Sequence, residues 1–199
     1  MLVPTDSREG IILVDERNRR IGTAEKYPAH RQGLLHRAFS IFLFDDEGRP
    51  LLQRRAPGKY HSAGLWANAC CGHPRPGETT IKAAARRLGE ELNIEAELTF
   101  HFAARYRADL GNGMTENEYV YIFSGRVPAG TIEPNPAEAD AIRMASLEEL
   151  MDMPSRSEGD YAYWLKHYLR NHGDQLLAMR AATAEAPARS SGAPALQTA

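Results

Sequence analysis

Apolar and polar positions along the chain follow two rhythms. Short apolar runs at residues 11–14, 38–44 (AFSIFLF) and 51–54 are bounded by turn-forming stretches at 15–20 and 45–48, and they read as strands. The run at 51–54 is expected to pair back on 38–44 as the second arm of a hairpin. Two further strands are expected at 98–108 and 118–126, joined through the turn-like Leu110-Gly111-Asn112-Gly113, and another near 141–145 leads to a short helix after Ser146. The second rhythm is helical. Ile81, Ala84, Ala85, Leu88 and Leu92 predict a helix over 79–92 that leaves Arg87 and Glu91 together on another face. Tyr161, Trp164, Leu165, Tyr168 and Leu169 form the stripe of a last helix over 161–179. Residues 56–77 are rich in Gly, Pro and small side chains and are read as a loop holding much of any site. From Ala181 onward large apolar residues almost vanish, which predicts a disordered tail over 181–199 after one domain over 1–180. Strands alternating with helices, with one long helix after a glycine-rich loop, indicate a mixed α/β sandwich, an α+β arrangement of sheets flanked by helices.

Composition narrows the function classes. At 199 residues, 43% hydrophobic and 25% charged, the chain suits one domain with a well-sized core. Its net charge of -2, with both signs interspersed, gives no nucleic-acid footprint and no polybasic membrane patch. No apolar run approaches the roughly 20 residues of a membrane helix. The opening MLVPTDSREG has neither a basic nor an apolar signal region, so a secretory leader is not expected. The two cysteines, Cys70 and Cys71, are neighbours and make a poor staple, so the expected setting is the reducing cytoplasm.

Candidate chemistry comes next. His30, His36 and His73 lie in loop or strand-edge positions among polar or small residues, without an HExxH pattern; they are metal-ligand candidates or simply satisfied imidazoles. The second reading is applied to His61, His101, His167 and His172. On a strand, Glu116 and Glu118 share a face that Val120 and Ile122 continue. Two carboxylates there are costly to bury unless a divalent cation offsets them, and the alternative is a frayed strand end in water. Cys71, in the loop before Gly72-His73-Pro74, is a reactive-thiol candidate or a buried small hydrophobe. Lys26, Arg54, Arg55, Lys59, Arg86 and Arg87 would suit a diphosphate by charge-assisted contacts, though singly each is a common surface cation.

The stretch from Gly72 through Glu78, Arg86, Arg87, Glu90 and Glu91 to Asn93 resembles the Nudix box. It departs where that box has a Glu directly after its Arg and a Gly near its end; here Arg87 and Asn93 stand. That departure resembles the type I isopentenyl-diphosphate isomerases, which use a Nudix-like fold. Further likenesses are Glu25-Lys26-Tyr27-Pro28-Ala29-His30, Leu35-His36-Arg37-Ala38-Phe39-Ser40, Arg54-Arg55-Ala56 and Trp66-Ala67-Asn68. Cys71-Gly72-His73-Pro74, Arg105-Tyr106-Arg107 and Glu116-Asn117-Glu118 complete them, so the resemblance runs from about Ile11 to Tyr168.

The resemblance implies a protonation–deprotonation enzyme that interconverts isopentenyl and dimethylallyl diphosphate. Its metal ligands would be His30, His36, His73, Glu116 and Glu118, holding Mn, Zn or Mg. Cys71 and Glu118 would be the acid–base pair, with Tyr106 assisting. Glu91 and the backbone carbonyl of Cys71 would hold a magnesium ion bridging the diphosphate, which Lys26, Arg55, Lys59 and Arg87 would contact. Trp164 would face the reacting carbons, or else simply pack in the stripe of the last helix. A monomer acting on a small isoprenoid diphosphate is expected, with no nucleic-acid or membrane partner. The rival readings are a Nudix-type diphosphate hydrolase and a non-catalytic binding module.

Overall fold

Nine strands and five helices follow one another in the computed structural model, which describes residues 9–152 and 159–186. β1 (Gly10–Val14) and β2 (Arg20–Glu25) form an antiparallel pair, and α1 (Lys26–Gln32) follows directly. Pro28 fits α1 because the first-turn amides have no intrahelical partner. Gly33 ends the helix in the left-handed region, at φ 60°, with its N–H bonded back to Ala29 and His30 carbonyls.

β3 (His36–Phe44) is the central strand. It pairs in parallel with β8 (Met114–Arg126), which pairs antiparallel with β7 (Thr99–Gly111). With β6 (Cys70–Gly72) beside β3, the main sheet has six strands, running β2-β1-β3-β8-β7. A second sheet runs β5-β4-β9, from β4 (Leu51–Arg55), β5 (Trp66–Asn68) and β9 (Ala139–Met144). α2 (Thr80–Leu92) packs Ala83, Ala84, Leu88 and Leu92 with Phe39, Ile41 and Leu43 of β3. A second core cluster gathers Ala38, Phe42, Val120 and Ile122 against α3 (Leu147–Met151), α4 (Tyr163–Asn171) and α5 (Gly173–Glu185). The odd and even residues of β3 therefore serve two different cores, which explains its near-continuous apolar run.

Five expectations change. β4 is not a hairpin arm of β3: only a bridge between Phe44 and Pro50 joins them, and β4 crosses to the second sheet. Pro50 has no N–H to continue that ladder. The stretch 56–77 contains β5 and β6, which short strand length and small residues concealed. β8 starts at Met114, so Glu116 lies inside a ladder opposite Ala108 and not at a frayed end. The last helix is two: the chain breaks at His172 (φ -134°, ψ 23°), and a Cβ on Gly173 would lie 2.7 Å from Met151 Cε. α5 then runs to Glu185, past the expected start of the tail. Thr183 is buried and bonded to Ser124 Oγ, while Arg126 donates to the carbonyls of Ala184 and Ala186. The rest of the expected tail, 187–199, lies outside the described residues.

Candidate active site

The parallel register of β3 and β8 places side chains in rows on one face. His36 stands opposite Glu118, which stands opposite Tyr106 of β7. Four residues along β3, about 13 Å at strand rise, Ser40 stands opposite Ile122 on one side and Cys71 of β6 on the other. Ala38, Val120 and Ala104 lie between the rows, so the floor is small and apolar. Cys71 and Glu118 thus face one cavity from strands on either side of β3, and Trp164 and Tyr168 of α4 wall it.

At one end, His30, His36, His73, Glu116 and Glu118 are all buried, and one ligand atom from each falls within 4.8 Å of the others. His30 comes from α1 and not from a loop or strand edge. Its Nδ1 lies 2.7 Å from the Lys26 carbonyl, and His36 Nδ1 lies 2.8 Å from that of Leu34. A carbonyl only accepts, so each Nδ1 carries hydrogen and each ring turns its Nε2 inward. There these nitrogens meet carboxylate oxygens: His30 Nε2 is 3.1 Å from Glu116 Oε2, and His36 Nε2 is 3.6 Å from Glu118 Oε1. Among the described residues, His30 Nε2 and Glu116 Oε2 are buried without a hydrogen-bond partner. Imidazole nitrogens and carboxylate oxygens converging in this way, two of them without a hydrogen-bond partner, fit a divalent cation bound by nitrogen and oxygen.

Charge states follow the surroundings. Burial pushes the Glu116 and Glu118 carboxyls up, but His30 and His36 respectively outweigh it, and both end below their ordinary value. Tyr106 donates to Glu118 Oε2 at 2.7 Å. Burial pushes the Cys71 thiol up to about 12, although Ser40 Oγ at 3.1 Å and Asn68 Oδ1 at 3.4 Å moderate the rise. A protonated thiol and an ionised carboxylate therefore share the cavity.

Cations line the cavity as well. Lys26, Arg55, Lys59 and Arg87 all line the cavity. Arg54 and Arg86 do not: Arg54 pairs with Asp140, and Arg86 forks onto Glu78. Lys59 and Arg87 share Glu138 at 2.5 and 3.1 Å, and Arg87 also holds Glu91 at 2.6 Å. Glu91 Oε2 accepts from Gln53 at 2.8 Å. The Arg55 guanidinium sits 5.2 Å from the Trp164 ring centroid, so the indole face already receives a cation.

Sequence reasoning missed Glu138 and set His61 aside. Glu138 lies far from every motif, and nothing in the sequence marks it. His61 lines the cavity from a stretch of turns and bends, where no periodicity marks it. His101, His167 and His172 do find ordinary partners, in Ser124, Asn171 and Gln175.

The NUDIX domain family matches residues 34–168. Isopentenyl-diphosphate Delta-isomerase 2 of Aromatoleum aromaticum is 47% identical over 156 residues, covering 78% of this chain and 82% of the relative. Isopentenyl-diphosphate Delta-isomerase of Burkholderia multivorans is 47% identical over 165 residues, 83% of this chain and 93% of the relative. The chain belongs to the isopentenyl-diphosphate Delta-isomerase family. Among solved structures, DR0079 from Deinococcus radiodurans superposes with a TM-score of 0.68 at 22% identity, over 81% of this chain and 98% of that one. The MutT protein of Methanosarcina mazei gives 0.58 at 17%, over 71% and 94%. These two likenesses carry the Nudix fold alone. Within it this isomerase-family chain keeps Glu91 and the helix, while Asn93 supplies the left-handed end, at φ 57°.

Proposed function

We infer that this chain is an isomerase that interconverts isopentenyl diphosphate and dimethylallyl diphosphate by a 1,3 proton shift. The observation that carries this, beside family membership, is one cavity that Cys71, Glu118 and the cations Lys26, Arg55, Lys59 and Arg87 line together. An alkene protonated at its terminal carbon becomes a tertiary carbocation, which must then lose a proton from the neighbouring methylene. That sequence needs one donor, one acceptor and no competing nucleophile. Cys71 and Glu118 are the donor–acceptor pair, and Tyr106 steadies Glu118 by its 2.7 Å hydrogen bond. The buried walls, Trp164 and Tyr168 among them, keep water from trapping the cation, and the indole face offers it cation–π attraction.

His30, His36, His73, Glu116 and Glu118 are the residues that would hold Mn, Zn or Mg. Such an ion, when bound, sets the acidity of the groups around it. Lys26, Arg55, Lys59 and Arg87 anchor the diphosphate and so fix the register of the hydrocarbon. Glu91 and the Cys71 carbonyl would hold magnesium with the diphosphate. Both Glu91 oxygens are engaged by Gln53 and Arg87, so this second site is less preformed than the first. The enzyme is taken as a monomer. The reducing cytoplasm as its setting is supported by Cys70 and Cys71, both free thiols. Among the described residues no helix is long and apolar enough to cross a membrane.

The deciding experiment is proton NMR with isopentenyl diphosphate and magnesium in deuterated water. Dimethylallyl diphosphate carrying deuterium is the expected result. Phosphate release without a new alkene would replace this reading with a hydrolase, and an unchanged substrate with a binding module.

A further inference from the structure

His61 is a buried side chain with no part in the acid–base pair, the five-residue cluster or the diphosphate set. It sits in a loop whose backbone is pinned. The Arg55 amide bonds to the Leu65 carbonyl, the Gly64 amide bonds back to the Arg55 carbonyl, and Arg55 Nη2 reaches the His61 carbonyl at 3.3 Å. Ser62, the next residue, takes a left-handed conformation at φ 50°, uncommon outside glycine and a local strain that the loop closure sustains. The loop therefore specifies where the His61 ring goes.

That ring meets the metal-ligand candidates from outside. It stacks on His30 with centroids 5.7 Å apart and planes 24° apart, and it presents an edge to Trp164 at 6.1 Å. Its Nε2 lies 3.6 Å from Glu116 Oε1, whereas the other oxygen of that carboxylate, Oε2, faces His30 and His36. Glu116 thus has one oxygen turned inward and one turned to His61. On the far side of the imidazole, Ser62 Oγ stands 3.4 Å from Nδ1. With the hydroxyl as donor to Nδ1, the ring proton lies on Nε2, on the side of Oε1.

We propose that His61 is a positioning residue of the metal centre: its Nε2–H holds Oε1 of Glu116, so that Oε2 is the oxygen presented to the bound cation. This rests on the reading of the five-residue cluster as a metal site. Partners of metal ligands act in this way generally, fixing the ligand's orientation. Here the partner lies on the loop that also carries Lys59 and follows Arg55, the end of β4, so one short segment serves both the metal-ligand candidates and the cations.

The test measures Zn(II) and Mn(II) affinity by chelator competition without substrate, then kcat and KM for isopentenyl diphosphate. His61→Phe keeps the ring and loses the donor; the expected result is metal binding about 10–100-fold weaker. Its kcat should recover at saturating metal while KM stays within about twofold of wild type, since substrate contacts are untouched. His61→Gln keeps an N–H donor and should return most of the affinity. His61→Asn, too short to reach Oε1, should repeat the loss if the phenylalanine variant does not fold. Wild-type affinity in His61→Phe or His61→Asn overturns the proposal, and so does a glutamine variant no better than either. An inactive wild-type enzyme whose metal affinity depends on His61 would remove the isomerase reading and leave this one. An active enzyme whose metal affinity ignores His61 would do the reverse.

Discussion

The two ends of the cavity solve opposite electrostatic problems. At one end, two carboxylates and three imidazoles are buried together, and among the described residues His30 Nε2 and Glu116 Oε2 have no hydrogen-bond partner. At the other end, Lys59 and Arg87 are already neutralised by Glu138 and Glu91. The first end is built on the ladders of β3 and β8 and on α1. The second is built on flexible side chains, and an incoming anion must exchange with carboxylates already in place. A resident ion suits the first arrangement and a substrate that comes and goes suits the second, because exchange of one partner for another leaves no charge bare.

Breaking the anionic end should have the largest effect. Glu116→Gln removes the carboxylate that faces both His30 and His36. The variant is expected to purify without stoichiometric metal and to lose more than about 10²-fold in turnover, the upper range found for mere partners of ligands. Elemental analysis of dialysed protein checks it; a full equivalent of tightly held metal would take Glu116 out of the ligand set. Cys71→Ala comes next. It should cost about 10²–10⁴-fold in kcat, the usual contribution of a positioned acid or base, while metal content and melting temperature stay close to wild type. A variant with near wild-type turnover would exclude Cys71 from the chemistry.

The cationic end should respond through binding. Lys59→Met removes one of the two cations on Glu138, and KM for isopentenyl diphosphate is expected to rise about 10-fold, as for a charge-assisted contact of about 1.5 kcal/mol. The contact is the same in ground and transition states, so kcat should change little. Steady-state kinetics decides this. A fall in kcat at constant KM would mean that Lys59 acts on the reacting carbons.

Which parts of this contrast were legible in the sequence depends on how each residue is held. Glu116 and Glu118 could be read because strand periodicity forces them to one face, and the pattern of Val120 and Ile122 extends it. Arg87 and Glu91 could be read because helix spacing brings them together. The parallel register that sets His36 against Glu118 was invisible, since it joins segments about eighty residues apart through strand order. α1 escaped because it spans under two turns and holds a proline, so it has no readable apolar stripe. The switch of β4 to a second sheet hinged on a single proline. Family resemblance sharpened what local pattern left open: it joined His30, His36 and His73 to Glu116 and Glu118 as one ligand set, and from six cations it kept Lys26, Arg55, Lys59 and Arg87. His61 and Glu138 depended on tertiary packing and on neither.

Arg86 and Arg87 give the smallest and sharpest form of the same contrast. They are neighbours on α2, yet the helix turns Arg87 into the cavity and Arg86 onto Glu78, outside it. The fork is well formed, with Nε to Oε1 at 2.8 Å and Nη2 to Oε2 at 2.9 Å, and both side chains keep a little solvent access. Its hydrogen bonds to Arg86, aided by the Arg75 amide, hold the Glu78 carboxyl below its ordinary value against the opposing effect of burial. A depressed carboxylate stabilises the fold above its unfolded pKa, about 4.3, and that contribution disappears as pH falls through the folded value. Glu78→Gln should therefore cost no more than about 1 kcal/mol near pH 7, or about 2–4 °C in melting temperature for a chain of this size. The gap between variant and wild type should close in acid, below the folded pKa, and kcat and KM should not move at all. Thermal melts from pH 7 down to pH 3 test the first claim. A gap that persists in acid would mean that Glu78 holds the helix start by packing, whereas a changed KM would mean that Arg86 reaches the diphosphate after all.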